Sequence, residues 1–401
     1  MNLTAVIGKN FGDEGKGLAV DWLSAQAERA GESCLVVRHN GGGQAGHTVD
    51  LKKGRFVFHQ LSSGSFRGAD TFWADRFLPD LYKLREEVES FRAACGRDFW
   101  IYATGSCRCI CIDDVLLNMA LEDFRGANRH GSCGMGINEG TVRSETPAFR
   151  ITLGEVCGSS ADAVYRRLSE IRREYLSVRL EELGLKREYL GEYGDMLGDA
   201  NVLYNAAEEM CRGADLVTLA EGQLATTYDN VVFEGAQGLL LDEEYLAYAP
   251  HLTSSRTGCT NPAAFTEKFL PNEILDLLYV SRSYVTRHGA GPLPNEELWR
   301  KWGFTLRDLT NQPNPWQGQL RFAPHGTAED FVSAVRDDMN AIRQTGMVSL
   351  LLTHLNETQG AVCTSEGLFA PREWMAKWEC EEIFGRRFAS FDPYAEGIVQ
   401  F

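Results

Sequence analysis

Apolar residues in this chain gather into short runs that end on glycine, with helix-period stretches between them. Residues 3–7 (LTAVI) form a strand-type run closed by the loop 8–17 (GKNFGDEGKG), after which Leu18, Trp22 and Ala25 fall on one face of a helix. Residues 34–38 (CLVVR) form a second such run, and it too leads into glycines, at 41–48 (GGGQAGHT). Further runs of strand length lie at 99–103, 230–233, 278–285 and 347–353, whereas 161–190 reads as a charged helix. From residue 368 onward, three arginines and several aromatics follow no usable period. Strands alternating with helices predict an α/β fold. In an open parallel sheet, ligands bind beyond the carboxyl ends of the strands, so two glycine loops after two strands predict one crevice built by the first 50 residues.

Composition narrows this picture. At about 150 residues per domain, 401 residues allow two or three domains. No repeat, low-complexity tract or linker divides the chain, so one unit over 1–401 is expected, with 155–230 as a largely helical lobe. Fifty-six acidic against 40 basic residues give a formal charge of −16, which argues against a broad nucleic-acid or anionic-membrane face. A local arginine cluster can still hold one small phosphate ligand. No basic leader and no apolar stretch of about 18 residues predicts a cytoplasmic chain that takes neither nucleic acid nor membrane as a partner. Eleven cysteines, an odd number, fit reduced thiols better than a disulfide framework. Cys107, Cys109 and Cys111 alternate in CRCIC, and strand alternation predicts all three on one face as small buried residues rather than metal ligands.

The chemistry concentrates in three loops. Gly12, Gly15 and Gly17 around Lys16 let backbone N–H groups approach an anion at a helix N-terminus, where the ammonium adds charge. This departs from the common GxxxxGK[ST] phosphate loop, which would need Gly at Asn10 and Ser or Thr at Gly17. Asp13 is costly inside a phosphate cradle unless it binds a metal or moves a proton. His47 is by itself an ordinary loop histidine, but its place past a strand end beside Asp13 favours a catalytic role: one group removes a proton while the other stabilises charge on a transferred oxygen. The third loop, 233–238 (FEGAQG), carries Gln237, which can read the amide-like edge of a purine or simply close a turn.

Taken together, FGDEGKG at 11–17, GGGQAGHT at 41–48, FVFHQLSSG at 56–64, GSCGMG at 131–136, FEGAQG at 233–238 followed by LLLD and Thr253-Ser254-Ser255, and YVTRHGAGPLP at 284–294 resemble the adenylosuccinate synthetase family, in the family's order. The resemblance implies a large, mostly parallel central sheet flanked by helices, similar to the phosphate-loop NTPases, with a helical insertion. It implies a two-step ligation in which a nucleoside triphosphate phosphorylates the 6-oxygen of IMP and L-aspartate then displaces phosphate. In that scheme Asp13 takes the N1 proton and His47 stabilises the transferred phosphoryl group. Gly12, Glu14, Gly15, Lys16, Gly17, Gly46 and Thr48 hold the triphosphate, and Mg²⁺ sits between Asp13 and the Gly46 carbonyl. Gln44, Ser132 or Cys133, Gln237 and Thr253 fall where the family contacts the purine nucleotide. The family is homodimeric and borrows an arginine from the partner subunit, for which Arg143 and Arg150 are the candidates here.

The sequence departs from the family after residue 295. Where the family has an arginine-rich loop for aspartate, this chain has 311–321 (NQPNPWQGQLR), so Arg321 alone is expected to inherit part of that role. Where the family reads guanine with a carboxylate, this chain has THLN at 353–356; the Asn356 amide both donates and accepts, which suits adenine and predicts a weakened guanine preference, with GTP or ATP as the phosphate donor. A short tail and altered base pocket are similar to the phage-type branch that makes 2-aminoadenylosuccinate from dGMP, but that branch carries Ser where this chain has Asp13, which favours IMP as acceptor. A third reading, from another class, is a nucleotide-binding sensor without catalysis.

Overall fold

A computed structural model describes residues 1–126, 132–304, 306, 318–376 and 380–401. Ten strands form the central sheet: β1 (Asn2–Gly8), β2 (Cys34–Arg38), β3 (Asp70–Trp73), β4 (Ile101–Ala103), β5 (Thr218–Leu219), β6 (Asn230–Gly238), β7 (Leu275–Arg282), β8 (Val348–Thr353), β9 (Arg386–Ser390) and β10 (Ile398–Gln400). They lie in the order β10-β9-β8-β7-β1-β6-β2-β3-β4-β5. Every neighbouring pair is parallel except β9 and β10. The sheet is thus the large, mostly parallel one that the resemblance implies.

The central strands read as continuous apolar runs because both faces of a parallel sheet are covered. Ala5, Ile7, Val37, Phe233 and Leu352 face one core cluster together with Phe265 and Phe331 of the helices Thr260–Phe269 and Ala328–Asn340. Val6, Val36, Val232 and Leu351 face the other, beneath Ala19, Val20 and Ala27 of α1 (Lys16–Ala30). That corrects part of the expected face of α1: Ala25 is buried as expected, but Leu18 and Trp22 are only partly so, and it is Ala19, Val20 and Ala27 that meet the sheet and let the helix approach closely. Trp22 instead packs edge-on against Phe388 of β9, with ring centroids 4.8 Å apart.

Several expected elements shift. The run 278–285 is broken: β7 ends at Arg282, and a separate short strand, Val285–Arg287, pairs with Arg321–Ala323. The charged helix expected over 161–190 is Ala161–Glu182, and the stretch 155–230 carries strand β5 and a short 3-10 helix, Gly222–Thr227, after its α-helices. Cys107, Cys109 and Cys111 lie in an extended segment with one isolated bridge rather than in a strand, yet all three are buried in one core cluster with the helices Leu81–Cys95 and Ala161–Glu182. No described helix is long and apolar enough to cross a membrane.

Candidate active site

The loops after β1, β2 and β6, which are adjacent in the sheet, open at the same carboxyl edge. In the first, Gly12 (φ 104°), Asp13 (φ 61°) and Gly15 (φ 95°) all adopt left-handed backbone, which only the glycines take freely. Glu14, assigned above to the triphosphate, turns inward: its carboxylate accepts the Asn10 and Gly12 N–H groups at 2.9 and 2.7 Å and pairs with Lys16 at 2.8 Å. A Cβ on Gly8 or Gly238 would collide with that carboxylate, so two glycines from neighbouring strands make room for it. Glu14 therefore shapes the loop and aims Lys16, both of them buried.

The second loop leads into a hairpin, His47–Leu51 paired with Gly54–Phe58, that carries His47. Phe58, opposite His47, packs with Phe56, Phe66 and Phe91 at centroid distances of 4.7–5.8 Å, and such pairs add about 0.5–1.5 kcal/mol each beyond burial. His47 Nδ1 lies 3.0 Å from Glu234 Oε1, at the base of the third loop. Glu234 also accepts from the Ser63 N–H and hydroxyl, with Arg38 3.9 Å away. Burial opposes its ionisation, but His47, Arg38 and Ser63 overcome that and hold the carboxyl down at about 2. Burial, aided by Arg38 and Lys16 against the attraction of Glu234, lowers the His47 pKa. The ring is thus neutral, with Nδ1–H donating to Glu234 and Nε2 left as the nitrogen for a substrate. α1 abuts this point, since a Cβ on Gly17 would lie 2.7 Å from the Thr48 carbonyl.

Asn40 clamps the second and third loops, its amide accepting from Ala236 N–H at 2.8 Å and donating to the Ala236 carbonyl at 3.2 Å. Around this clamp, polar atoms are buried with no partner among the described residues: Oε1 of Gln44, Oε1 of Gln237 (φ 61°) and both ring nitrogens of His39. Buried polar groups are normally satisfied, so this cluster marks where a ligand's polar edge is missing.

Burial drives the His39 and His325 pKa values down to about 3. Between pH 6.5 and 3 the unfolded chain therefore binds protons at these histidines that the folded chain does not, so stability falls as pH falls through that window. The melting temperature is expected to drop from pH 6.5 to pH 5, with a shallower slope in His39→Leu; an unchanged slope would contradict the neutral buried ring.

Asp13 faces a residue that the sequence reading overlooked. His288 Nε2 is 3.0 Å from Asp13 Oδ2, and Arg282 donates to the Asp13 carbonyl. Burial would raise the Asp13 pKa, but the His288 hydrogen bond and the charges of His288, Arg282 and Lys16 hold it well below the carboxylate range. His288 stood in the motif 284–294 without a role; a histidine there was the available signal. Glu234 likewise stood unassigned in FEGAQG.

On the β8 side, Thr353 donates to the Glu14 carbonyl at 2.7 Å and so ties THLN to the first loop. Asn356 is exposed on the short turn Leu355–Thr358. Ser254 donates to Asn138 at 2.7 Å, which brings the Thr253 run to the helix Ile137–Glu145. Ser132 exchanges hydrogen bonds with Asn118, and Cys133 is partly buried nearby in sequence. Gly131 and 311–317, both part of the family comparison above, lie outside the described residues.

Two of the arginines given roles above are engaged within the chain. Arg143 is 1% exposed. It forms a two-pronged pair with Asp114 at 2.9 and 2.8 Å and donates to the Phe149 and Cys109 carbonyls, so its guanidinium is engaged on every side within the chain. Arg321 is held by Glu296 at 3.1 Å and by the Gly289 and Gly291 carbonyls, which leaves its guanidinium committed within the chain.

No cluster of three or more metal-ligating side chains exists among the described residues. Mg²⁺ at a phosphate site needs only one or two carboxylates, with phosphate and water oxygens completing the shell. The ionised Asp13 carboxylate and the Gly46 carbonyl, on an exposed residue, fit that donor set.

A family model for adenylosuccinate synthetase matches residues 5–319. Curated relatives include the adenylosuccinate synthetases of Thermoplasma acidophilum (29% identical over 79% of this chain and 68% of that protein), Delftia acidovorans (30%, 74% and 66%) and Halorhodospira halophila (32%, 73% and 64%). The matched stretch thus spans about two thirds of these relatives. Among solved structures, fully ligated adenylosuccinate synthetase from Plasmodium falciparum aligns over 100% of both chains with a TM-score of 0.67 and 17% identity. Cyanophage S-2L succinoaminodeoxyadenylate synthetase bound to dGMP and dATP aligns over 100% of this chain and 95% of that one, with a TM-score of 0.61 and 14% identity. At these identities the likeness is one of fold.

Proposed function

The chain belongs to the adenylosuccinate synthetase family, whose members are ligases that join carbon to nitrogen, and we propose that it ligates L-aspartate to carbon 6 of IMP at the expense of a nucleoside triphosphate. The observation that carries this reading is the convergence of Asp13, Lys16 and the His47–Glu234 pair at the carboxyl ends of β1, β2 and β6.

The 6-oxygen of a purine is a poor leaving group. Asp13, ionised at neutral pH, accepts the N1 proton as the 6-oxygen attacks the γ-phosphorus; the β–γ bridge breaks and nucleoside diphosphate departs. His47 is neutral in the free protein, and the arriving triphosphate favours protonation at Nε2 while Glu234 steadies Nδ1–H, so positive charge develops beside the phosphoryl group as it moves. Lys16 and the 12–17 amides neutralise the diphosphate. Mg²⁺, held by Asp13 and the Gly46 carbonyl, supplies charge neutralisation on the phosphate oxygens when bound. The aspartate amine then attacks carbon 6 and phosphate leaves. Gln44 and Gln237, with unpaired carboxamide oxygens, supply polar groups for the purine nucleotide, with Cys133 and Thr253 beside it.

A phosphate-release assay with Mg²⁺ and aspartate, crossing IMP and dGMP against ATP and GTP, tests this reading. Turnover with IMP and adenylosuccinate as product supports it; turnover with dGMP alone would transfer the protein to the 2-aminoadenylosuccinate reaction. No turnover in any combination would favour a sensor. Asn356 sets the expected donor. Asn356→Asp should shift the ATP/GTP ratio of kcat/KM toward GTP by on the order of tenfold, the scale of one well-formed base contact; an unchanged ratio would place the base elsewhere.

A further inference from the structure

Three side chains of the segment 282–288 hold the tip of the first loop. Arg282 donates to the Asp13 carbonyl, Thr286 donates to the Gly12 carbonyl at 3.1 Å, and His288 Nε2 lies 3.0 Å from Asp13 Oδ2. Asp13 has left-handed backbone (φ 61°), which a residue with a side chain keeps only where its surroundings fix it. The contacts from Arg282 and Thr286 supply that restraint on the backbone and leave the carboxylate to His288. An aspartate carboxylate turns over a broad range about its last bond, and that of Asp13 is 23% exposed, so nothing intrinsic to the side chain sets which oxygen meets a substrate. An ionised carboxylate only accepts, so the shared proton sits on His288 Nε2. Oδ1 has no hydrogen-bond partner among the described residues.

His288 is itself aimed. It follows the strand Val285–Arg287, which is paired with Arg321–Ala323, and it precedes a turn with left-handed backbone at Gly289 (φ 67°) and Gly291 (φ 105°). Arg321 donates to the carbonyls of both glycines at 3.1 and 2.8 Å and is anchored by Glu296 at 3.1 Å, so it stiffens the turn that carries His288. We propose that His288 is a positioning residue of the ligation: it pins Oδ2 of Asp13, so that Oδ1 is the oxygen presented to N1 of the acceptor and the one that takes the proton when the N1–H bond breaks. Oδ2 keeps a further lone pair, so the pinned carboxylate can still face Mg²⁺. The proposal rests on the ligase reading for the identity of the acceptor, whereas the fixed orientation of the carboxylate can be read from binding alone.

The test sets calorimetric binding of IMP and of 1-deaza-IMP, in which C–H stands in place of N1–H at nearly the same size, beside steady-state kinetics of the full chain and of His288→Leu, His288→Gln and His288→Asn. Glutamine carries its amide nitrogen about as far from the backbone as Nε2, and asparagine falls short of it. The parent should prefer IMP over 1-deaza-IMP by about tenfold, the scale of one charge-assisted hydrogen bond. His288→Leu and His288→Asn should lose most of that preference and lower kcat on the order of tenfold to a hundredfold, the cost of a misplaced reacting group, with the KM for triphosphate unchanged. His288→Gln should recover both. If His288→Leu melts far below the parent, the comparison of Gln with Asn carries the test. Equal losses in the Gln and Asn variants, or a loss confined to KM, would overturn the proposal. An IMP preference that persists in the Leu and Asn variants would overturn it too, while turnover of IMP in the parent would leave the ligase reading standing. A preference lost in His288→Leu and kept in His288→Gln, in a protein that never turns over, would sustain the positioning role and remove the ligase.

Discussion

Asp13→Asn is expected to reduce turnover at saturating substrate by about a thousandfold, within the range for loss of a positioned acid or base, while leaving the affinity for nucleoside triphosphate nearly intact. The amide is close in size to the carboxylate, so His288 and the Arg282 contact to the Asp13 carbonyl can persist. It cannot, however, take the N1 proton, and it is a weaker ligand for Mg²⁺. Because Asp13 titrates far below neutrality, the parent should show no acid limb assigned to this group between pH 6 and 8. Steady-state kinetics beside direct triphosphate binding checks this. Parallel loss of binding and turnover would mean that Asp13 merely shapes the loop, and unaffected nucleotide signalling without turnover in the parent would indicate a sensor.

His47→Ala should lower kcat by on the order of a hundredfold to a thousandfold, the scale for removing one group that stabilises charge in the transition state, with little change in KM. Glu234→Gln should give a smaller loss in the same direction, because the ring keeps its place but loses the carboxylate that supports its charged form. The pair also separates chemistry from folding. Glu234 is fully buried and holds Ser63 as well as His47, so its variant must first be shown to melt near the parent. Equal rises in KM and falls in kcat for His47→Ala would contradict the role given to the ring.

How far the sequence reveals this site depends on how local each determinant is. The runs 3–7, 34–38 and 347–353 were legible as strands because both faces of the sheet are buried there, and the glycine loop after the first was legible because left-handed backbone at Gly12 and Gly15 requires glycine. β3 has only four residues and opens on Asp70, and the antiparallel edge strand β10 exposes most of its length, so neither carries a strong pattern. The break after Arg282 follows from tertiary contacts: Arg282 turns to the Asp13 carbonyl, and Ser283 donates to the His354 carbonyl at 3.1 Å. His288 meets Asp13 across 275 residues of chain, and Glu234 meets His47 across 187, distances that no periodicity records. Arg143 shows the converse. An arginine satisfied by an aspartate and carbonyls inside the protein looks the same in sequence as one that awaits a phosphate.

The central claim is that the 6-oxygen of the acceptor leaves as phosphate. IMP labelled with oxygen-18 at position 6 tests it most directly, with the inorganic phosphate released in the presence of aspartate and triphosphate analysed by mass. The account predicts one labelled oxygen in each phosphate formed. Unlabelled phosphate, released while the nucleotide keeps its label, would contradict it and reduce the protein to a triphosphatase.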